Sequence, residues 1–336
     1  MRISITKTTA LLLALALILV GSRSDAAKYS GEAFSLGVGG RGLALGGAVV
    51  AGPFDGTAAY WNPAGMNRLK GRYITAMHAE TFGSLLNHDF VAYTDANRSL
   101  PESSLINAFG FYIYYLGGGG IKITRLNEFE RPIVVREESH GDWLFTAAIS
   151  GKIKSKVDFG LAAKIIYRDI GTESGIGLTV DAGAMYQVHE YINLGLMVTD
   201  ITTGFIRYSG NTELLDAEGN AVEREANTET IYPTVKPGLK IEYSYADFTG
   251  RAMASGDVRF EGLKTAAQFW MGEISLDTHW GLELGYREMV FGRAGFDIGR
   301  FTAGGGVDIR KITVDFAYLH HDDLDETFRV SAGYRF

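Results

Sequence analysis

The chain has 336 residues, 46% hydrophobic and 12% aromatic, with 43 glycines, 6 prolines, no cysteine and a formal net charge of −7. The missing cysteines exclude a disulfide framework, thiolate metal sites and a cysteine nucleophile, and the acidic balance gives no footprint for nucleic acid. Few prolines beside many glycines and aromatics favour strands and tight turns, and the lack of a second long apolar run excludes a helical membrane bundle.

Residues 1–26 read as a cleaved signal peptide. Arg2 and Lys7 form its basic start, Thr9 to Val20 its apolar stretch, and Ser24 and Ala26 place small residues at −3 and −1 of a cut after Ala26. The apolar stretch is too short to span a membrane comfortably. With no lipobox cysteine, the mature chain is expected to be exported without a lipid anchor.

Residues 27–70 differ from the rest. Glycines fall at 37, 39, 40, 42, 46 and 47, a density that lets backbone pack closely in a confined space and adopt positive φ. Asp55 is expected to cap a short helix through Ala58 to Trp61, and Asn62-Pro63-Ala64-Gly65 to force a turn. The glycine run lacks the preceding strand, crossover helix and downstream acid of a dinucleotide loop. Phe34, Leu36, Leu43, Leu45, Val49, Val50, Tyr60 and Trp61 make the stretch too apolar for a solvated tail.

Beyond Lys70 the pattern has period two. Val157, Phe159, Leu161, Ala163, Ile165 and Tyr167 alternate with Asp158, Gly160, Ala162, Lys164 and Ile166, and 176–188 and 312–318 behave likewise. Fourteen candidate strands fall near 72–82, 88–96, 105–116, 142–153, 156–168, 176–188, 191–203, 233–245, 251–260, 276–287, 290–298, 300–309, 311–320 and 327–336, the first two alternating poorly. Links after the third, seventh and ninth (117–141, 204–232, 261–275) are long, and those after the fourth, sixth, tenth and twelfth are short. Such parity belongs to a barrel with short periplasmic turns and long outer loops. The last strand carries Phe328, Val330, Ala332, Tyr334 and Phe336 on one face, and Arg329, Ser331, Gly333 and Arg335 on the other. Behind a signal peptide, Phe328, Val330, Tyr334 and Phe336 read as the strand that the barrel assembly machinery recognises.

The expected fold is therefore all-β: a fourteen-stranded antiparallel transmembrane barrel (71–336) with an N-terminal plug (27–70), in the outer membrane of a Gram-negative bacterium. Lipid and lipopolysaccharide would meet the apolar face, with Trp143, Tyr167, Tyr186, Tyr286, Tyr318, Tyr334 and Phe336 at the interfaces. The other face carries Asp158, Lys164, Arg168, Asp181, Lys240, Glu242, Asp257, Arg259, Glu283, Arg287, Asp308, Arg310 and Asp315, mixed in sign, expected to pair with one another or with the lumen filler. A barrel this wide is not filled by its own side chains.

From Gly37 the run GVGGRGLALGGAVVAGPFDGTAAYWNPAGMNRL resembles the amino-terminal signature of PorV/PorQ-type proteins, relatives of the FadL-type outer-membrane transporters. Gly39, Arg41, Gly46, Gly47, Ala48, Asp55, Ala58, Tyr60, Trp61, Asn62, Pro63, Ala64 and Gly65 match it. Leu45-Gly46 without the usual Met, and Gly52-Pro53-Phe54 before Asp55, depart from it. The resemblance implies a plugged fourteen-stranded barrel that binds exported proteins and passes them on; the alternative is FadL-type transport of hydrophobic molecules such as long-chain fatty acids. Acidic positions Glu213, Asp216, Glu218, Glu223 and Glu225 suit protein contacts, whereas the aromatics of 109–115 suit either a lumenal pocket or lipid. No G-x-S-x-G or H-E-x-x-H occurs. His320-His321-Asp322-Asp323 reads as a solvated loop, and His140 with Glu137 and Glu138 as polar loop residues. No enzyme, cofactor or metal is expected.

Overall fold

Ten-residue segments with one apolar and one polar face satisfy all their backbone groups in lipid only as a sheet without edges. The computed structural model describes residues 32–336 apart from 82–84, 97–104, 155, 172, 210–213, 216–220, 223–227, 261–266 and 321–325. The signal segment, the five loop acids named above and His321, Asp322 and Asp323 lie outside the described residues.

Fourteen strands make the wall: β1 (Arg72–Thr81), β2 (Leu86–Asp95), β3 (Ile106–Leu126), β4 (Pro132–Lys154), β5 (Val157–Asp169), β6 (Ser174–His189), β7 (Ile192–Thr199), β8 (Thr234–Tyr245), β9 (Phe248–Arg259), β10 (Ile274–Tyr286), β11 (Val290–Asp297), β12 (Arg300–Ile309), β13 (Ile312–Leu319) and β14 (Thr327–Arg335). Each pairs antiparallel with its sequence neighbour, and β14 closes on β1, Tyr73 opposite Arg335 and Glu80 opposite Phe328. Phe336 extends the seam: its N–H donates to the Arg72 carbonyl (3.0 Å) and its own carbonyl accepts from the Arg72 N–H (3.2 Å). Its ring lies outside, 5.9 Å from Tyr334 and 6.5 Å from Tyr93. Deleting Phe336 is expected to lower the heat-modifiable, inserted fraction. Wild-type yield at every expression level would remove any assembly role for this residue.

At the end holding both edges of that seam, the turns at 246–247, 287–289 and 310–311 use positive φ at Ala246, Arg287, Glu288 and Arg310 (53°, 52°, 52° and 61°), as tight hairpins require. The opposite end carries the long connection between β7 and β8, where Gly204–Ser209 and Thr228–Ile231 pair as a short hairpin continuing from β6.

One expected loop is strand. Residues 117–141 lie mostly within β3 and β4, 21 and 23 residues long, which stay paired out to Leu126 opposite Pro132. Past Gly117 and Gly141 this ribbon has outrun β2 and β5, whose last partners there are Asn87 and Asp169. The register shifts between Gly118 and Ile121, so the glycine run that reads as a loop is an irregularity inside a ribbon.

The outer face is apolar through the middle of the wall (Leu161, Ile165, Leu178, Leu194, Leu282 and Phe316 are exposed), and Trp143, Tyr167, Tyr186, Tyr286, Tyr334 and Phe336 also face outward. Leu161→Arg puts a charge on that face and is expected to cost about 2–4 kcal/mol near the midplane. Ala162 faces inward but is 1% exposed and packs within the main buried cluster with residues of 32–70, so Arg has no room there either. Thr313 borders open lumen instead, and Thr313→Arg is expected to cost under about 1 kcal/mol. Equal denaturation midpoints for the Leu161 and Thr313 variants would show the inside–outside phase to be wrong.

Residues 32–70 pack against the inner face. A 3-10 turn (Glu32–Phe34), helix α1 (Gly40–Ala44), helix α2 (Ala58–Trp61) and a 3-10 helix (Pro63–Arg68) follow one another, α1 against β11–β14 and the last 3-10 helix against β3–β6. The wall makes room with glycines. Gly160 pairs with Gly183, Gly195 with Gly238, and Gly281 with Gly295. A Cβ on Gly281 would stand 2.7 Å from the Leu45 carbonyl oxygen, one on Gly295 2.7 Å from Gly46 N, and one on Gly238 2.8 Å from the Val50 Cβ. At Gly281 and Gly295 backbone meets backbone.

Candidate functional site at the seam between residues 32–70 and the wall

The glycines of 37–52 do what their density suggests. Gly37, Gly39, Gly46, Gly47 and Gly52 all have positive φ, and the Gly40 N–H donates to Ser331 Oγ of β14 at 2.9 Å. One correction concerns Asp55. It does not cap α2, whose N-cap is Thr57; Asp55 Oδ1 instead accepts from Thr57 N (2.8 Å) and Oγ1 (2.6 Å). Asn62 is fully buried and caps the following 3-10 helix: its Oδ1 accepts from Ala64 N (3.1 Å), while Nδ2 donates to the Val50 carbonyl (2.9 Å). Pro63 fills the next position, where a backbone N–H has no partner to lose. Gly65 admits the edge of the Phe54 ring.

Tyr60 and Trp61 tie the segment to itself. Tyr60 Oη donates to the Phe34 carbonyl (2.7 Å) and accepts from Gly37 N (3.2 Å), and Trp61 Nε1 donates to the Val38 carbonyl (3.2 Å). Burial pushes the Tyr60 phenol well above its ordinary range, so it keeps its proton and its donor role. Around them lie inward aromatics of the wall: Tyr60 is stacked with Tyr114 (6.3 Å, 10°) and meets Phe90 and Tyr112 edge-on. Of the aromatics at 109–115, Tyr112 and Tyr114 thus face the lumen, while Phe111 faces out.

Arg41 reaches across from α1 to Glu283 of β10 with two hydrogen bonds, Nε at 2.9 Å and Nη2 at 2.7 Å. Glu283 also accepts from Arg251 of β9 (2.8 Å) and Arg293 of β11 (2.6 Å), and Arg293 continues to Asp315 of β13 (2.7 Å). At the other side of the lumen Arg68 and Asn67 hold Asp158 of β5. The mixed inward charges therefore pair with one another and with residues 32–70, the arrangement their signs suggest.

Two spaces remain, one on each side of the segment. Towards the long connections lies a cavity of about 110 Å³, whose apolar lining includes Leu36, Trp61, Tyr112, Leu144, Ile166 and Met197. Towards the carboxy-terminus lies a space of about 570 Å³ bordered by Arg41, Asp55, Arg68, Lys240, Glu242 and Arg310. Both mix charges with apolar side chains: Lys164, Asp181, Lys236, Asp257 and Arg259 also border the smaller space, and Phe54, Leu69, Met185 and Phe291 the larger.

The seam contains residues that sequence reading passed over. Arg329 of β14 is 2% exposed and lines the smaller cavity. Its Nη2 donates to the Leu36 carbonyl (3.0 Å), but Nε and Nη1 have no hydrogen-bond partner among the described residues. His279 of β10 stands between the Gly46 carbonyl and Asp297, each 2.9 Å from Nδ1. Alternation places both side chains inward, yet only the position of 32–70 shows what they meet. His140, Glu137 and Glu138 stand on the protruding ribbon, and no cluster of three metal-ligating side chains exists among the described residues.

No protein-family model matches the chain. No curated protein matches it either. Solved structures do. The monoaromatic hydrocarbon channel CymD superposes with a TM-score of 0.57 at 11% identity, covering 90% of this chain and 98% of that one. A TodX monoaromatic hydrocarbon channel mutant gives 0.56 at 11% identity, over 89% and 98%. The Pseudomonas putida toluene transporter TodX gives 0.50 at 12%, over 89% and 97%. At these identities the likeness is one of fold, a closed fourteen-stranded barrel.

Proposed function

We propose that the chain is a non-enzymatic outer-membrane channel for small hydrophobic molecules, with residues 32–70 as the plug that its cargo passes. The observation that carries this is the cavity between the plug and the wall at the loop end, whose lining includes Leu36, Trp61, Tyr112, Leu144, Ile166 and Met197, above a wider space at the carboxy-terminal end. A compact cargo leaving water or lipopolysaccharide meets these apolar side chains first and passes on into the wider space. The structural neighbours, described as hydrocarbon channels and a toluene transporter, support this alternative over secretion. The cavity is also small, which favours a compact cargo over a long acyl chain.

Intact Gram-negative cells carrying the protein are expected to take up labelled toluene faster than cells without it, because lipopolysaccharide retards apolar solutes. A cavity-filling Leu144→Trp is expected to cut the gain about tenfold with the barrel still heat-modifiable, a change equivalent to about 1.4 kcal/mol. Equal uptake with and without the protein would overturn the channel reading.

Secretion keeps one supporting observation. The free ribbon of β3 and β4 exposes Ile121, Leu126, Phe129, Ile133, Val134 and Val135 beyond the barrel. An exported protein that co-purifies with the intact chain, and is lost when 119–139 are replaced by a tight turn, would favour that role.

A further inference from the structure

The outward face of the wall breaks its own rule at one place. Away from the strand ends and below the free ribbon, its outward positions carry Asp, Glu, Lys, Arg or His only at His78 of β1 and Asp89 of β2, among the described residues. The two stand directly opposite each other, with Nδ1 of the imidazole 2.7 Å from the carboxylate Oδ1. Their side chains are 59% and 46% exposed, so they face the surroundings of the barrel and not its lumen. The next pair towards the outer rim, Glu80 opposite Asn87, is polar as well, whereas the pairs below, Ala76 with Val91 and Ile74 with Tyr93, are apolar.

Both flanks are apolar at the same rows. Val330 and Phe328 of β14 stand opposite His78 and Glu80, and Tyr115 of β3 stands opposite Asp89, with Trp143 of β4 beyond it. The four polar side chains therefore form an island within the apolar belt. Ionisable groups facing acyl chains cost stability and mark functional surfaces, so the island calls for a polar cover. Two carboxylates beside one imidazole, with no Lys or Arg among the four, repel lipid phosphates. A protein surface remains, and the pattern is complementary to itself.

Two copies in one membrane share an orientation, so a two-fold axis relating them runs along the membrane normal. An axis passing between β1 and β2 exchanges the two strands. It sets His78 of each copy against Asp89 of the other, and Glu80 against Asn87, so that no carboxylate faces a carboxylate. Ala76 then meets Val91 and Ile74 meets Tyr93, which continues the contact towards the periplasm through apolar pairs.

We infer that the outward face of β1 and β2 is the interface of a homodimer, two barrels side by side with the His78–Asp89 pairs at the centre. The inference does not depend on what the lumen carries.

The chain has no cysteine, so single introduced cysteines report contacts without background. In the outer membranes of intact cells, Ala76→Cys, one row below the ionic pair, is expected to oxidise to a disulfide-linked dimer. Ala252→Cys, an equally small outward position on β9 across the barrel, is expected to stay monomeric. His78→Asp in the Ala76→Cys background gathers four carboxylates at the centre and is expected to cut the dimer at least about tenfold. Adding Asp89→His, which exchanges the pair within each copy, is expected to restore it. A pair that serves only the barrel's own fold would leave the yield of cross-linked dimer unmoved by either change. Failure of Ala76→Cys to form the dimer overturns the inference, as does an equal yield from Ala252→Cys or a yield that His78→Asp leaves within twofold. Lipopolysaccharide as the cover would give the first of these results, and a different protein would give an adduct of another mass in place of the dimer; both overturn the homodimer. Heat-modifiable mobility reports whether each variant has folded. If His78→Asp does not insert, the contrast between the two cysteine positions decides alone.

Discussion

Mature protein in planar bilayers is expected to be nearly silent, and a form lacking residues 34–60 to show large open-channel steps. The deleted stretch packs on the inner face of the wall: Leu45, Ala48 and Val49 form one buried cluster with Met253 of β9, while Val38, Ala58 and Ala59 join a second with Met77, Phe90 and Tyr114 of β1–β3. A fourteen-stranded wall without it leaves a water-filled lumen. The wall keeps its own ion pairs in that form, since Glu283 retains Arg251 and Arg293, and Lys164 retains Asp181 and Asp200. The freed charges meet water, which solvates them. Heat-modifiable mobility reports whether the truncated barrel has closed. An intact protein that conducts like a porin, unchanged on truncation, would remove the plug and both cargo routes with it.

The wall was legible because period two is a strong signal wherever one face meets lipid and the other meets charge. The fourteen expected segments coincide with the fourteen wall strands, mostly within two residues at the edges they share. The signal weakens in β1 to β3 for a physical reason. There the inward face is also apolar, with Met77, Phe90, Tyr112 and Tyr114 packed on residues 32–70, so alternation of burial persists without alternation of chemistry. The same cause explains why Ala162, inward and small, reads as lumen yet sits in packed core.

Glycine carried two opposite messages in one chain. Between 37 and 52 it signals tight backbone, and the positive φ values there agree. At 117–120 the same composition reads as a loop, but β3 and β4 pass through it with a shifted register. The paired glycines of the wall, such as Gly160 with Gly183, were invisible as a set because cross-strand register is needed to bring them together. Arg329 was visible as an inward residue of the last strand; that its Nε and Nη1 lack a partner among the described residues was not, because that is recognised only when the neighbours are known.

Glu283→Gln is expected to be among the most damaging single substitutions in the wall, at about 3–5 kcal/mol of barrel stability. Its side chain is fully buried and takes hydrogen bonds from three guanidiniums, with Arg41 and Arg251 sharing one oxygen and Arg41 and Arg293 the other. An amide of the same shape removes the negative charge and offers one of these arginines an N–H in place of an acceptor. Arg251 falls back on Glu242 and Glu288, and Arg293 on Asp315. Among the described residues Arg41 has no other hydrogen-bonded carboxylate, so helix α1 is left with an unmatched cation against a wall that has become more positive. Arg41→Met provides the contrast: it leaves Glu283 with two arginines and keeps much of the apolar stem, and is expected to cost about 1 kcal/mol. Its effect should appear as flickering conductance from a loosened plug more than as a lower barrel midpoint. Denaturant midpoints of the two variants within about 1 kcal/mol of each other would show that the three-arginine cluster does not hold plug to wall.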